Sequence, residues 1–282
     1  MSIRIVTDST CDLPEEAVTE HGITVIPVYI NIGDKSYLDN VEISRREFYE
    51  RLPAYDPPPK TSAPGLGAFV KAYERLAAEG ATEILSIHIS ASLSAILNVA
   101  HSAAQAIRAA RVTVFDSRQL TLGTGFLALA AASAAQAGHS MAEIVGLLKE
   151  RVLRTYSFAA LDTLEYLRRG GRMSRAQSSL GELLKIRPLL TMYDGEMTVE
   201  RTRTFKRTLE RLDTLVHSLA PLEELALLHA NAQEKAEALW ERFQHLVPEL
   251  QRPFVVEVTP AIGAHVGPGG VGLVCVQAKG VT

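Results

Sequence analysis

Three serine hydroxyls lie between a predicted buried strand and the helix predicted after it. Ser90, Ser92 and Ser94 separate an apolar run that ends at Ile89 from an amphipathic stretch over 96–107. Backbone N–H groups at the start of a helix lack intrahelical partners and the helix dipole is positive there, so such a junction can bind an anion or a carboxylate. An ordinary N-cap beside two solvated turn serines would explain the same residues.

Thr61 and Ser62 form a second hydroxyl pair, directly before a helix predicted over 64–78. Polar groups also follow two other predicted strands, in the segments 7–9 and 116–117. Because the carboxyl ends of parallel strands meet at one edge of a sheet, we expect ligand groups to gather there.

His265 stands in a glycine-rich segment, 261–270, which is predicted to be a loop. Glycines let a backbone approach a ligand closely, so an imidazole in such a segment is a candidate binding residue. Arg201 and Arg203 follow a predicted hairpin. A guanidinium at either position could pair with a carboxylate or phosphate, although a solvated arginine at the end of a strand is an equally simple interpretation.

Four arginines cluster around a Gly-Gly pair: Arg168, Arg169, Arg172 and Arg175. A run of like charge is usually a solvated surface. The alternative, more specific interpretation is that these arginines form a surface that binds an acidic partner.

Several kinds of catalytic or nucleotide site lack their sequence patterns. No GxGxxG or GxxxxGK[ST] cradle is present for a nucleotide, and no HExxH or other ligand spacing indicates a metal. A serine hydrolase could be built from Ser94, His265 and Asp116, but no GxSxG elbow supports it. A small-molecule kinase or transferase is a further possibility that lacks a phosphate loop.

The elements that must position these residues change in character near the middle of the chain. Strands and helices alternate over 1–155, which predicts a three-layer α/β/α domain with a mainly parallel sheet. Over 156–282, Asp194-Gly195 between two strand-like segments predicts a hairpin, and hence a two-layer α/β domain with a mixed sheet. The Pro27 imide in a strand predicted over 23–32 places that strand at an edge or breaks it.

Composition restricts the class of protein. The 282 residues carry a net charge of −3 with interspersed acids and bases, which disfavours a nucleic-acid-binding role. Cys11 and Cys275 lie far apart, as expected for reduced thiols in a cytoplasmic protein. The N-terminus shows no signal peptide pattern, and the only membrane-like stretch, 120–137, is interrupted by polar residues and glycines. We therefore predict a buried helix there and no integral membrane segment.

The motifs TDSTCDLP, VIPVYI, KTSAPG, ISASLS, FDS, LEYLRRGGRMS, HANA and GAHVGPGGVGL run along the whole chain in this order. Together they resemble the DegV family of bacterial fatty-acid-binding proteins. The resemblance implies two α/β domains, an acyl chain in a buried tunnel and a carboxylate held between the domains. On this pattern the carboxylate ligands are Thr61, Ser62, Ser94, His265 and Arg203.

The resemblance also implies a partner. DegV-like proteins of the FakB type are non-catalytic carriers that present a long-chain fatty acid, such as hexadecanoate (palmitate), to a separate fatty acid kinase. Arg172 and Arg169 are the predicted kinase-binding residues, and we expect Arg172→Ala to impair phosphorylation without changing fatty acid affinity. No cofactor is implied beyond the bound fatty acid.

One departure from the family pattern bears on selectivity. The usual LSGTY is replaced by Leu93-Ser94-Ala95-Ile96-Leu97, which keeps the serine and loses the glycine, threonine and tyrosine. A carrier needs no catalytic residue, because burying an alkyl chain contributes roughly 0.8 kcal/mol per CH2. The small side chains predicted to leave room for the chain are Ala130, Ala131, Ala132 and Ala135.

Overall fold

A computed structural model describes residues 2–172, 186–247 and 253–280 of the chain. Its strands are β1 Ile3–Asp8, β2 Thr24–Ile26, β3 Tyr29–Ile32, β4 Lys35–Leu38, β5 Lys60–Ser62, β6 Glu83–His88, β7 Arg111–Asp116, β8 Thr155–Ala160, β9 Arg187–Tyr193, β10 Glu196–Thr202, β11 Leu222–His229, β12 Phe254–Glu257 and β13 Val271–Gln277. Its α-helices are α1 Glu15–Glu20, α2 Arg45–Arg51, α3 Leu66–Ala78, α4 Ile96–Ala106, α5 Leu122–Gln136, α6 Met141–Val152, α7 Glu165–Arg169, α8 Phe205–His217, α9 Gln233–Phe243 and α10 Pro260–Val266.

A four-stranded parallel sheet of order β2-β1-β6-β7 forms the first half of the molecule. Its central strand β6 is a continuous apolar run whose Ile84, Leu85 and Ile87 are fully buried, as expected for a strand covered on both faces. Pro27 lies between β2 and β3, so the single strand predicted over 23–32 is broken there. The first piece, β2, is the edge of the sheet, as predicted.

A three-stranded antiparallel sheet of order β4-β3-β5 was not predicted from the sequence. Thr61 and Ser62 belong to its strand β5, where Thr61 pairs with Ile30 and Ser62 with Tyr29. The prediction that these hydroxyls open a helix is therefore wrong, because α3 begins only at Leu66 after a Gly65 N-cap. The extended backbone of β5 sets the direction of both side chains.

The second half contains a six-stranded mixed sheet of order β10-β9-β8-β13-β11-β12. All neighbours are antiparallel except β11 and β12. The predicted hairpin is confirmed. Asp194 and Gly195 both have positive φ, 45° and 83°, as a two-residue turn between twisted strands requires. The fold is thus a mixed α/β fold with one parallel and one mixed sheet, as expected.

The main hydrophobic core crosses from the first half of the chain to the second. Buried residues of the parallel sheet pack in one cluster with Ile262 of α10 and Val274 of β13. The alanine-rich helix α5 is largely buried, as predicted. Among the described residues, no helix combines the length and the apolar character needed to cross a membrane.

Helix α10 replaces the loop predicted over 261–270. Pro260 occupies its first turn, and Gly263 is required because a Cβ there would collide with the rings of Phe48 and Tyr49. The N-terminus of α10 is held by two buried carboxylates. Asp12 Oδ1 accepts from the Thr259 N–H at 2.7 Å, and Asp39 Oδ1 accepts from the Ala261 N–H at 3.1 Å. These bonds attach α10 to segments more than 200 residues earlier in the chain.

Candidate ligand-binding site

A cavity of about 710 Å³ of empty space lies between the first half of the chain and elements α7, β9, β10 and α10. Most of its wall is apolar. Its polar side chains are Thr10, Thr61, Ser62, Ser94, Arg172 and His265. Four of the five predicted carboxylate ligands therefore line one cavity, although they come from three separate parts of the chain: β5, the loop before α4, and α10.

Thr61 and His265 are joined directly. Thr61 Oγ1 lies 2.8 Å from His265 Nε2, which links strand β5 to the last turn of α10. His265 Nδ1 is buried and has no hydrogen-bond partner in the described parts of the chain. A ring that donates from Nε2 to Thr61 leaves the threonine proton available for a ligand, whereas a ring that accepts at Nε2 consumes that proton.

The surroundings of His265 keep its ring neutral. Burial, followed by the positive charge of Arg172, lowers the pKa of His265 to about 3. Gly170 lies against the ring, and a Cβ at this position would collide with it. The glycine of the Gly-Gly pair thus makes room for the imidazole. A neutral ring can orient a hydroxyl but adds no positive charge to the site.

Ser94 is the member of the serine cluster that reaches the cavity. Its Oγ accepts from the Ile96 N–H at 3.3 Å at the start of α4, and this bond leaves the serine proton available for a ligand. Ser90 and Ser92 instead bond to each other at 2.9 Å and do not line the cavity. The ordinary turn interpretation therefore holds for two of the three serines.

Arg203 and Arg172 differ in their position relative to the cavity. Arg203 is exposed and does not line the cavity, so its position at the end of the hairpin does not support the predicted ligand role. Arg172 does line the cavity and donates to the Gly170 carbonyl at 2.7 Å. Although Arg172 is distant from the hydroxyl residues in sequence, α7 packs on α10 and brings the residue after the Gly-Gly pair beside His265.

Arg169 stays at the surface. It forms an ion pair with Glu165 at 2.6 Å, and Arg168 binds the same carboxylate at 2.7 Å. These two guanidinium groups hold the pKa of Glu165 at about 2. Arg175, the last member of the predicted cluster, lies outside the described residues.

A second cavity of about 550 Å³ adjoins the first. The two compartments share five lining residues: Leu120, Leu190, Met197, Ile262 and Val266. The second compartment, here called the inner one, is walled mainly by apolar side chains of the mixed sheet and α10. Most of the accessible polar surface of the two compartments belongs to the first, which contains Thr61, Ser94, Arg172 and His265 and is here called the polar end.

The alanines predicted to make room for a chain line neither compartment. Ala131 and Ala132 belong to α5 and are buried in the core, whereas Ala130 lies in a separate groove beside Phe126 and Leu129. Ala135 packs against the same core. The empty space is instead bounded by side chains of β9, β10 and α10. The sequence pattern of α5 cannot predict which residues of those other elements line a cavity.

The hydrolase constellation of Ser94, His265 and Asp116 is not assembled. His265 bonds Thr61, and Asp116 accepts from the backbone N–H groups of Ala91 and Arg118. A serine nucleophile needs a base that is itself oriented by a third group, and these three residues do not provide that chain.

A different Ser-His-Asp chain is present inside the parallel sheet, and the sequence analysis missed it. Ser86 Oγ lies 2.7 Å from His88 Nε2, and His88 Nδ1 lies 2.9 Å from Asp8 Oδ2. All three side chains are fully buried, so no substrate reaches Ser86. Asp8 also accepts from the hydroxyl of Thr10, which lines the first cavity. The alternation of Ser86 and His88 in an apolar strand was the available sign of this network.

The described residues contain neither a metal site nor an accessible thiol. That part of the chain contains no group of three or more His, Cys, Asp or Glu side chains placed to hold a metal ion. Both cysteines are buried free thiols, as expected, and burial raises the pKa of Cys275 to about 12.

Comparison with known proteins adds to this geometry. A sequence model described as an uncharacterised protein of the DegV family matches residues 2–278. A DegV domain-containing protein of Streptomyces coelicolor is 38% identical over 276 residues, which cover 96% of this chain and 97% of that protein.

Two solved structures are similar throughout. DegV, a fatty acid binding protein from Bacillus subtilis, superposes with a TM-score of 0.90 at 31% identity, covering 98% of this chain and 100% of its own. A DegV family protein from Thermus thermophilus, described for its fatty acid binding, gives a TM-score of 0.88 at 31% identity over 99% and 100% of the two chains.

Proposed function

Because the chain belongs to the DegV family, we propose that it is a carrier that binds one long-chain fatty acid and presents it to a fatty acid kinase. The observation that supports the proposal is a pair of adjoining apolar compartments whose accessible polar surface lies mostly in the first, beside Thr61, Ser94 and Arg172. An amphiphile with a single anionic head group has this distribution of polarity. The fatty-acid-binding proteins of B. subtilis and T. thermophilus, similar in sequence and fold, support the choice of ligand.

The polar end suits a carboxylate. Thr61 and Ser94 each have a hydroxyl proton that their hydrogen bonds to His265 and Ile96 need not use, and Arg172 supplies a positive charge. Carboxylates are acceptors only, so a site of hydroxyl donors and one guanidinium matches their hydrogen-bonding capacity. We propose Thr61, Ser62, Ser94 and Arg172 as the ligands, with His265 acting through Thr61.

The apolar compartments supply the affinity. A buried acyl chain gains roughly 0.8 kcal/mol per CH2, so the contacts along the chain outweigh the cost of desolvating one carboxylate. A saturated chain of palmitate length is our proposed ligand, and no catalytic side chain is needed to hold it.

We further propose that residues 1–155 and 156–282 form two domains with the ligand between them. Thr61 and Ser94 come from the first segment, and Arg172 and His265 from the second. Arg169, on the exposed surface of α7 next to the polar end, is our candidate contact for the kinase. Its ion pair with Glu165 keeps the guanidinium close to the surface of the helix.

Native mass spectrometry of protein purified from bacteria tests the proposal. We expect one intact fatty acid per chain, removable by delipidation and restored by incubation with palmitate. A protein that retains no fatty acid after reloading contradicts the carrier function. Incubation with an acyl ester tests the alternative, because a hydrolase releases product repeatedly and reacts with serine-directed reagents, whereas a carrier does neither.

A further inference from the structure

The hairpin formed by β9 and β10 is part of the wall of both compartments. Its Leu190 and Met197 line both of them. The other residues that line both compartments lie elsewhere. Ile262 and Val266 belong to α10, which is hydrogen-bonded to the first half of the molecule at both ends, and Leu120 lies between β7 and α5. The hairpin is therefore the edge of the second sheet that closes over the empty space.

The hairpin is held less firmly than α10. Its strand β10 is at the edge of the sheet and pairs only with β9. None of residues 187–202 belongs to the main hydrophobic core, and Leu190 and Val199 pack instead in a small cluster with three leucines of residues 161–167. Elements with few buried contacts open locally at a lower free energy than the whole protein unfolds. Of the elements in the shared wall, the hairpin is thus the one that separates at the least cost.

The tip of the hairpin is fastened to the first half of the molecule by Arg118. Arg118 Nε lies 3.0 Å from Asp194 Oδ1 and donates to the Asp194 carbonyl at 3.0 Å. The Gly195 N–H donates to the Arg118 carbonyl, also at 3.0 Å. We call these three contacts the latch. The residues that form it line neither compartment.

The backbone on both sides of the latch is shaped for this contact. Arg118 has a φ of 53°, in the left-handed region that residues other than glycine rarely adopt. Asp116 holds this conformation, because its Oδ1 accepts from the Arg118 N–H at 2.8 Å. A Cβ at Gly195 would lie 3.0 Å from Arg118 Nε, so glycine lets the turn approach the guanidinium. Strain of this kind persists where the surrounding structure imposes it, and it is typical of clamps and switches.

We propose that the hairpin is the gate through which the acyl chain enters and leaves, and that the latch between Arg118 and the Asp194-Gly195 turn sets the rate of this exchange. The inference rests on the proposed fatty acid function and adds its kinetic control. When the gate opens, the tip moves away from Arg118 and uncovers both compartments along their length. Because the latch lines neither compartment, its loss lowers the barrier to opening and accelerates capture and release by the same factor.

The test is a measurement of exchange at equilibrium. Protein loaded with ¹³C-labelled hexadecanoic acid is mixed with an excess of the unlabelled acid, and native mass spectrometry follows the replacement over time. We expect Arg118→Ala to exchange about three- to tenfold faster than the parent, the effect of losing one exposed ion pair and one charged hydrogen bond. Isothermal titration of delipidated protein should give the same affinity for both proteins, since capture accelerates as much as release.

Further variants separate the latch from general effects on stability. Asparagine tolerates the positive φ of Asp194, so Asp194→Asn keeps the turn and removes the charge. It should also accelerate exchange, and it serves if Arg118→Ala does not fold. The double variant should exchange no faster than the faster single variant, because both changes act on one latch.

Arg211→Ala is the matched control. Arg211 forms an ion pair of similar exposure with Glu200 at 2.7 Å, but this pair joins β10 to α8 within the second half of the molecule. It holds the hairpin near its base, away from the tip that carries the latch. Its loss should leave the exchange rate at the parent value.

Each outcome supports or overturns the inference. Exchange at the parent rate in Arg118→Ala overturns it, as does equal acceleration in Arg211→Ala or a double variant that multiplies the two single effects. Faster release with a matching loss of affinity also overturns it, because a gate accelerates capture equally. None of these results affects the carrier function, since the parent still binds hexadecanoic acid. Failure of the parent to bind any fatty acid refutes the carrier function, and the gate with it.

Discussion

Thr61 Oγ1 and His265 Nε2 lie 2.8 Å apart although the two residues are separated by 204 positions in the chain. The bond connects β5, in the three-stranded sheet, with α10, whose other end is held by Asp12 and Asp39. Both ends of this short helix are therefore attached to the first half of the molecule. His265 is therefore held on a helix that is fixed at both ends, rather than on the glycine-rich loop predicted from the sequence.

The first prediction concerns the coupling of Thr61 and His265. If the imidazole acts through the threonine hydroxyl, Thr61→Val and His265→Ala should each weaken fatty acid binding by about 1–3 kcal/mol, and the double variant should lose little more than either alone. Isothermal titration with delipidated protein measures all four affinities. Thr214→Val removes an exposed threonine hydroxyl on α8, outside the lining of both cavities, and serves as the control. Additive losses would show that the two side chains act independently.

Ser94 is predicted to contribute to both binding and stability. Ser94→Ala should weaken fatty acid binding about tenfold through loss of one hydrogen bond to a charged group, and should also destabilise α4 by about 0.5–2 kcal/mol because the Ile96 N–H loses its acceptor. Titration and chemical denaturation separate the two effects. Ser102→Ala, on the exposed side of α4, should change neither. Unchanged affinity in Ser94→Ala would remove this serine from the head-group site.

Arg172 and Arg169 are predicted to have distinct roles. Arg172→Ala should weaken fatty acid binding and raise the pKa of His265 from about 3, because a nearby positive charge is removed. The shift is measurable by NMR of the ring nitrogens as a function of pH. Arg169→Ala should leave both affinity and the pKa of His265 unchanged and reduce only the rate of kinase-dependent phosphorylation. The opposite assignment of the two phenotypes would refute this division.

Asp12 should make stability depend on pH. Burial raises its pKa to about 7, whereas in the unfolded chain it is near 4, so the folded state binds more protons between these values. Its contribution to the free energy of unfolding is fully present below about pH 4 and is lost as the pH rises toward 7. Asp12→Asn keeps an acceptor for the Thr259 N–H and removes the charge.

We therefore expect Asp12→Asn to gain stability over the parent between pH 5 and pH 8, on the order of 2–4 kcal/mol. Urea denaturation at several pH values measures the difference. Asp39, whose pKa is raised to about 6, contributes in the same direction in both proteins, and His265 in the opposite direction. Asp34→Asn, at an exposed turn, is the control. Parallel pH profiles of parent and Asp12→Asn would contradict the prediction.

Local chemistry explains which features could be predicted from sequence. The Asp194-Gly195 hairpin and the break at Pro27 follow from the backbone preferences of those residues. The apolar run of β6 predicts a buried strand. Ser94 and Thr61, which both line the cavity, could be proposed from the sequence because hydroxyls next to predicted strand and helix ends are visible there. Each of these features depends on a few neighbouring residues.

The features that were missed depend on distant contacts. Helix α10 has two glycines in and after it and little intrinsic helical preference, and it is stabilised by Asp12 and Asp39. The position of Arg172 in the cavity wall follows from the packing of α7 on α10. No local pattern contains either contact.

The position of β13 has a consequence for the order in which the protein can fold during synthesis. This strand is the last of the described sheet to leave the ribosome, yet it lies in the middle, between β8 and β11. Until it emerges, β8 and β11 each present an unpaired edge, and α10 has only just been made. A nascent chain thus exposes two aggregation-prone edges until β13 is made, and His265 in α10 joins the cavity wall shortly before the sheet is completed.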